Sequence, residues 1–217
     1  MTDKFNFYDF IAVLIPGLFF LISLKILIGF SSTDFHVTSS LELMNSFALI
    51  VFGYVMGVLL QGISQGITQK LLSFLWSGLP SEKWLLDSEP KLTSDYKNHL
   101  WNKINTTFHR EKPEGELSQI KKVNNEIFYL IYRHIEKQKI TEKHQVFNAQ
   151  FSFFRCLLTA FVFLFVVTLY QILCSWSFDF KNMSFLIFTL IGIVVSYSGA
   201  LRRGEDFVKC ILDSFLA

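Results

Sequence analysis

The chain has 217 residues, of which 51% are hydrophobic and 18% charged, with a formal net charge of +2. A composition this apolar argues against an ordinary soluble domain, and a charge this small does not by itself imply a nucleic-acid binder. Cys156, Cys174 and Cys210 are too few for a disulfide framework and show no zinc-ligand spacing, so they read as structural thiols.

Four apolar stretches dominate: Phe10–Phe30, Leu43–Leu60, Phe151–Trp176 and Met183–Leu201. Each approaches the ~20 residues that a helix needs to cross ~30 Å of hydrocarbon. The first follows an amphipathic lead-in, Phe7-Tyr8-Asp9-Phe10, in which Asp9 suits a helix start. Pro16-Gly17 interrupts it and predicts a kink. The stretch is too long for the apolar core of a signal peptide and reads as a retained anchor. Lys25, near its far end, either snorkels to the headgroups or faces a polar cavity.

The second span carries two pairs of small residues, Gly53 with Gly57 and Gly62 with Gly66. Small residues let helices approach closely in lipid, where van der Waals packing replaces the hydrophobic effect. Beyond Leu60 the helical pattern continues, with Gln61, Ser64, Gln65, Thr68 and Gln69 recurring at i, i+3, i+4, i+7 and i+8. This neutral polar stripe either bonds to a neighbouring helix or lines a water-filled path.

Residues 77–150 lack transmembrane character. A helix is predicted over Thr93–Phe108, with Leu100, Trp101, Ile104 and Phe108 as its apolar face. A second is predicted over Leu117–Lys143, with Ile120, Val123, Ile127, Leu130, Ile131 and Ile135 on one side. The turn Lys112-Pro113-Glu114-Gly115 joins them into a hairpin. Such a hairpin has too small a core to stand alone, so its apolar faces, notably Trp101, Ile104, Ile127 and Ile131, are expected to meet a partner protein or another copy. Lys and Arg alternate with Asp and Glu throughout, as on a solvated surface. Lys121-Lys122 and the Arg133/Lys137 pair are the candidates for an anion, nucleotide or nucleic acid, and the mixed signs around them weigh against that use.

The third span has no seam of small residues and is dense in Phe, so it is expected to face lipid. The fourth has one: Thr189, Gly192, Ser196, Gly199 and Arg203 are spaced 3, 4, 3, 4. That seam wants another helix, in the same chain or in a neighbouring copy. After it, Phe207, Ile211 and Phe215 recur every fourth residue, as do Val208, Leu212 and Leu216. This predicts an amphipathic helix along the inner interface or docked on the soluble part.

The predicted fold is an all-α integral membrane protein with four transmembrane helices, a cytosolic helical hairpin between spans two and three, and a C-terminal amphipathic helix. Its segments are 1–76, 77–150 and 151–217. Orientation follows from the short flanks: Lys4, Lys70, Arg155, Arg202, Arg203 and Lys209 lie on one side, whereas Ser31–Glu42 holds no Lys or Arg and Ser177–Asn182 holds only Lys181. The positive-inside rule therefore places both termini and the hairpin in the cytosol, with the inner membrane as the location. No P-loop, GxGxxG, GxSxG or HExxH occurs, His109-Arg110-Glu111 lacks the C-x-x-C of a zinc deaminase, and His134 with Glu136 reads as helix surface. The expectation is a protein without enzymatic activity, metal or cofactor.

The lead-in Phe7-Tyr8-Asp9-Phe10 followed by Ile15-Pro16-Gly17, the Gly-rich second span, the short helical insert and the Arg202-Arg203 exit into an amphipathic tail form a recognisable layout. It resembles the small four-span inner-membrane subunits of bacterial anti-phage defence systems, such as the Kiwa-type membrane subunit. The resemblance implies a homo-oligomer such as a tetramer, which recruits a soluble effector beneath the membrane and responds to phage attack. The functional expectation is an oligomeric membrane subunit that senses membrane perturbation and controls a soluble cytosolic partner. The alternative is a gated pore that depolarises the membrane on a ligand or partner signal.

Overall fold

The computed structural model describes residues 10–28, 39–138, 143–175 and 179–217, and every regular element among them is helical. Expectations about the Phe7–Asp9 lead-in, the connection over 29–38 and the stretch at 139–142 lie outside the described residues. In chain order, a π-helical segment Phe10–Leu14 runs into α1 (Ile15–Ile28), and α2 (Ser39–Ile63) passes through a second π segment, Ser64–Thr68, into α3 (Gln69–Leu75). Next come α4 (Pro80–Lys83), α5 (Ser94–Phe108), α6 (Leu117–Gln138), α7 (Lys143–Ser175) and α8 (Phe180–Leu216). Four stretches, Phe10–Leu27, Ser46–Leu75, Lys143–Cys174 and Phe180–Leu216, are long and apolar enough to cross a membrane, the mark of a multi-pass membrane protein.

The chain divides into two compact units: residues 1–69 with 149–202, and residues 70–148 with 203–217. This differs from the expected division, because the end of α8 joins the helical insert. The reason is the apolar face of that tail, described below.

In the first unit, backbone approach sets the packing. Pro16 has no N–H to donate and its ring crowds the preceding turn, and the helix ahead of it is widened to π geometry over Phe10–Leu14. Gly17 follows, and a β-carbon built there would lie 1.9 Å from the carbonyl oxygen of Gly53 and 2.5 Å from the nitrogen of Gly57. A β-carbon on Gly57 would lie 2.1 Å from the carbonyl oxygen of Val13. Only glycines allow α1 and α2 to touch main chain to main chain here. Gly192 and Gly199 of α8 serve differently. Their missing β-carbons leave hollows filled by the rings of Phe161 and Phe154, which a β-carbon would meet at 2.3 and 2.5 Å.

Those rings correct the expectation for the third span. A Phe-dense helix without a small-residue seam reads as lipid-facing, yet Ala160, Phe161, Leu164, Thr168 and Ile172 are buried. The large rings of α7 complement the small residues of α8, so no seam of its own is required. Phe161 also meets Phe19 at a centroid distance of 4.9 Å and Phe188 at 5.6 Å. Phe20, Leu60, Ala160 and Leu164 form the buried centre, with Phe19, Leu24, Met56 and Phe185 against it.

The second unit is a small helical domain. At the start of α4 the Leu79 N–H donates to the Glu82 carboxylate at 2.9 Å. Thr93 caps α5 by accepting from the Tyr96 N–H at 3.3 Å. His109 closes α5 in the left-handed region, φ +52°, with its N–H on the Asn105 carbonyl. The helices fall where the hydrophobic period places them, with α6 described to Gln138.

Leu100, Trp101, Ile104, Ile127, Ile131 and Ile135 bury together, but they do not do so as a bare hairpin. Val208, Ile211, Leu212 and Phe215, from the end of the continuous helix α8, complete the same core. Polar contacts hold the tail: Lys91 pairs with Glu205, the Tyr96 hydroxyl donates to Asp213 at 2.7 Å, and Lys103 donates to the Leu216 carbonyl at 3.0 Å. The expectation of a core too small without a partner is corrected by the chain's own last turns.

Two measurements test this packing. Gly57→Ala should lower stability by about 1–3 kcal/mol, because the clashing atom is backbone and has no rotamer to yield. Gly62→Ala, with nothing within 4 Å of its β-carbon position, should be neutral or slightly stabilising through helix propensity. Thermal unfolding in micelles compares them, and equal effects would refute the close approach of α1 and α2.

The tail contact carries a pH signature. Burial, and then the hydrogen bond to Asp213, raise the Tyr96 phenol above its usual 10.0. A raised folded-state value means that the stabilisation is complete below pH ~10 and is lost as pH climbs through the folded value. Unfolding of the wild type should therefore become easier above pH ~10, and Tyr96→Phe should flatten that dependence. An unchanged alkaline profile in the variant would remove Tyr96 from the account.

Candidate functional site: a buried arginine in a π turn

Ser64–Thr68 forms a turn wider than that of an α-helix, and the Gln69 N–H bonds back to the Ser64 carbonyl, five residues earlier. The extra width changes which side chains share a face. Ser64 and Thr68 are buried and Gln69 is half-buried, while Gln65 is exposed. The regular spacing that joined Gln61, Ser64, Gln65, Thr68 and Gln69 into one stripe is thus broken by the π turn.

Arg155 of α7 enters this turn at 5% exposure. Its Nε donates to Ser64 Oγ at 3.2 Å and its Nη1 to Gln69 Oε1 at 2.6 Å, while its guanidinium carbon lies 5.2 Å from the centroid of the Phe151 ring. The neighbouring hydroxyls complete a directed network. Thr159 Oγ1 donates to the Arg155 carbonyl at 2.9 Å, so at the 2.8 Å contact between the two threonines Thr68 Oγ1 is the donor. Ser64 Oγ donates to the Gln61 carbonyl at 2.9 Å, so it accepts both from Arg155 and from the Cys156 thiol at 3.7 Å.

This arrangement clamps two helices and provides no nucleophile. The Ser64 proton is committed to a backbone carbonyl, and the Cys156 thiol is fully buried. Among the described residues no group of three His, Cys, Asp or Glu side chains is placed to hold a metal ion.

The other expected site residues fall as follows. Gly53 and Gly57 face α1, and Gly192 and Gly199 face α7 rings, all within the chain. Ser196 and Thr189 are buried, with Thr189 Oγ1 on the Leu186 carbonyl at 2.8 Å. Gly62, Gln65 and Gly66 are exposed or partly so, and the two glycines have open space beside them. Trp101, Ile104, Ile127 and Ile131, expected as a partner surface, are interior residues at 8%, 0%, 2% and 0% exposure, covered by the tail. Lys121 donates to the Ser77 carbonyl at 2.6 Å, which ties one of the candidate anion-binding lysines to a turn. Lys25 is exposed.

Sequence reasoning counts Arg155 only as a flanking positive charge. A usable signal is present: the arginine stands inside an apolar run with hydroxyls at Ser152 and Thr159, and the second span carries a matching neutral stripe. Compared with protein-family models, with characterised proteins and with solved structures, the chain finds no match.

Removing the guanidinium tests the clamp. Arg155→Ala removes the guanidinium from Ser64 Oγ, which keeps only the weak Cys156 thiol, and from the half-buried Gln69 Oε1, at about 1–3 kcal/mol in all. Arg155→Lys should recover only part, because an ammonium lacks the planar fork. Unfolding in micelles measures both, and an Arg155→Ala variant as stable as wild type would show that the network contributes nothing.

Proposed function

We propose that this protein is a non-enzymatic, multi-pass subunit of the inner membrane that assembles with copies of itself and controls a soluble cytosolic partner, as in the anti-phage defence subunits it resembles. The observation that carries the reading is the fate of the polar stripe. Ser64, Thr68 and Gln69 bond to α7, which is packing chemistry, while Gly62, Gln65 and Gly66 stay open on the surface of a long apolar helix. An exposed amide flanked by two glycines is costly against hydrocarbon and suited to close approach by another helix. A second copy meets both requirements. The positive flanks support cytosolic termini and a cytosolic second unit.

Because Trp101, Ile104, Ile127 and Ile131 are covered, the partner surface in this reading moves to the outward side of α6. There Tyr129 and Leu130 are exposed beside Arg133. The second reading, a gated pore, keeps one supporting feature, since Gln65 is exposed and several copies would bring this amide into a ring.

Oligomer size and current tell the two apart. Gly66→Leu should shift the purified protein to a smaller species while leaving its unfolding temperature within a few degrees, since among the described residues nothing lies within 4 Å of a β-carbon built on Gly66. Gln65→Glu in planar bilayers should produce no discrete openings. A Gly66→Leu variant of wild-type size would sink the assembly site, and openings whose ion preference follows residue 65 would promote the pore.

A further inference from the structure

The second unit contains a half-open cavity of about 240 Å³. Its apolar walls come from the loop after α4 (Leu85, Leu86), from α5 (Trp101) and from the first turns of α6 (Leu117, Ile120). Polar groups free to hold water in it are few. Asn124 lies in the lining, but its Nδ2 donates to the Glu82 carbonyl at 3.3 Å, and both its Oδ1 and the Trp101 Nε1 are closed to solvent. The carbonyls of Leu86 and Asp87 accept from Lys97 at 2.6 and 3.3 Å, and Lys112 pairs with Asp87 at 2.6 Å. The Ser88 hydroxyl is left at the exposed edge. A well-held water needs about two to four polar partners. Water in this cavity falls short of that, so its displacement by apolar surface is favourable.

The walls are fixed before anything enters. Lys97 is itself buried, and its bonds to the carbonyls of Leu86, Asp87 and Glu89 pin the loop on one side. Leu85 and Trp101 belong to the buried core of the unit. The Lys112–Asp87 pair ties the same loop to the turn between α5 and α6. Its side chains remain 47% and 71% exposed, so the pair stands at the solvent edge, where the opposite charges cancel. A charged group placed inside would lose hydration and meet no uncommitted opposite charge. Size narrows the occupant further. An apolar cavity of about 150 Å³ takes up benzene, and this larger one has room for a second ring.

We propose that this cavity binds a compact, uncharged, hydrocarbon-like molecule of one or two rings. Recognition is by fit and by release of weakly held water, and hydrogen bonds to the walls play no part in it. A rigid ring has few torsions to freeze, and the pinned loop has little freedom to lose on binding. A charged molecule of the same size is rejected, because the cavity strips its hydration and returns nothing for it. This goes beyond the membrane-subunit reading and stands on the second unit alone.

The test uses the full chain in micelles, with isotope-labelled Leu and Ile methyl groups followed by NMR. The probes are toluene and naphthalene, each at a free concentration set by its partition into empty micelles. At least one should shift a small set of methyl signals saturably. That set should include the terminal methyl of Ile120, identified by its loss in Ile120→Val. Leu117 is 56% exposed and Ser88 is exposed, so Leu117→Trp and Ser88→Trp fill the cavity from two walls without entering the core. At least one of these variants should lose the shifts while keeping wild-type helical content and unfolding temperature. Benzoate and benzylammonium, which carry a charge on a ring of toluene size, should bind wild type at least about tenfold more weakly than the better hydrocarbon. The proposal is overturned if neither hydrocarbon saturates the Ile120 signal, or if the shifts persist unchanged in both Leu117→Trp and Ser88→Trp. It is overturned equally if a charged probe binds as tightly as the better hydrocarbon, since that outcome makes the Lys112–Asp87 edge the site of recognition.

Discussion

The membrane-type unit depends on one guanidinium held in a widened helical turn. An arginine buried among apolar helices needs acceptors at fixed angles, and a regular α-helix would spread Ser64 and Gln69 along its length. The π turn brings both oxygens to bear on Arg155. The distortion and the charge explain each other, because the wide turn supplies acceptors and the cation gives the buried polar side chains a common donor. Around this node lie the hydroxyl contacts of Thr68 and Thr159 and the apolar cluster of Phe20, Leu60, Ala160 and Leu164. The helices are thus oriented by a directional interaction and filled in by non-directional ones.

Two kinds of glycine contact sit on that frame. Where Gly17 meets Gly53 and Gly57, main chain touches main chain, and the separation of α1 and α2 is set by atoms that cannot change rotamer. Where Gly192 and Gly199 meet Phe161 and Phe154, the separation of α7 and α8 is set by ring thickness. The first contact is rigid and the second has side-chain freedom. Motion between helices, wherever it occurs in this unit, is easier across the ring contacts than across the glycine backbone.

Much of the fold is legible in the sequence, because the forces that shape it act locally or repeat with the helical period. The apolar runs mark the four long helices, and the 3.6-residue pattern at Leu100, Trp101 and Ile104 and at Ile127, Ile131 and Ile135 locates α5 and α6. The site is legible only in part. Ser64, Thr68 and Gln69 stand out as polar, but regular helical geometry is the only register a pattern can assume, so the π turn that separates them from Gln65 is invisible there. Gly57 and Gly62 look alike in sequence, yet one meets a backbone oxygen and the other open space, and that difference belongs to the partner helix. The tail is recognisable as amphipathic, while what it covers depends on contacts more than a hundred residues apart, Tyr96 to Asp213 among them.

The tail's role also bears on biosynthesis. The second unit is discontinuous: α5 and α6 are made early, but Val208, Ile211, Leu212 and Phe215 follow two more apolar stretches. During translation the hairpin therefore spends the synthesis of α7 and α8 with its apolar faces open, the interval in which exposed hydrophobic surface is captured by chaperones or by another nascent chain. The order of the polypeptide makes closure of this unit report on synthesis of α7 and α8, since the residues that seal it emerge only after both long apolar helices have been made.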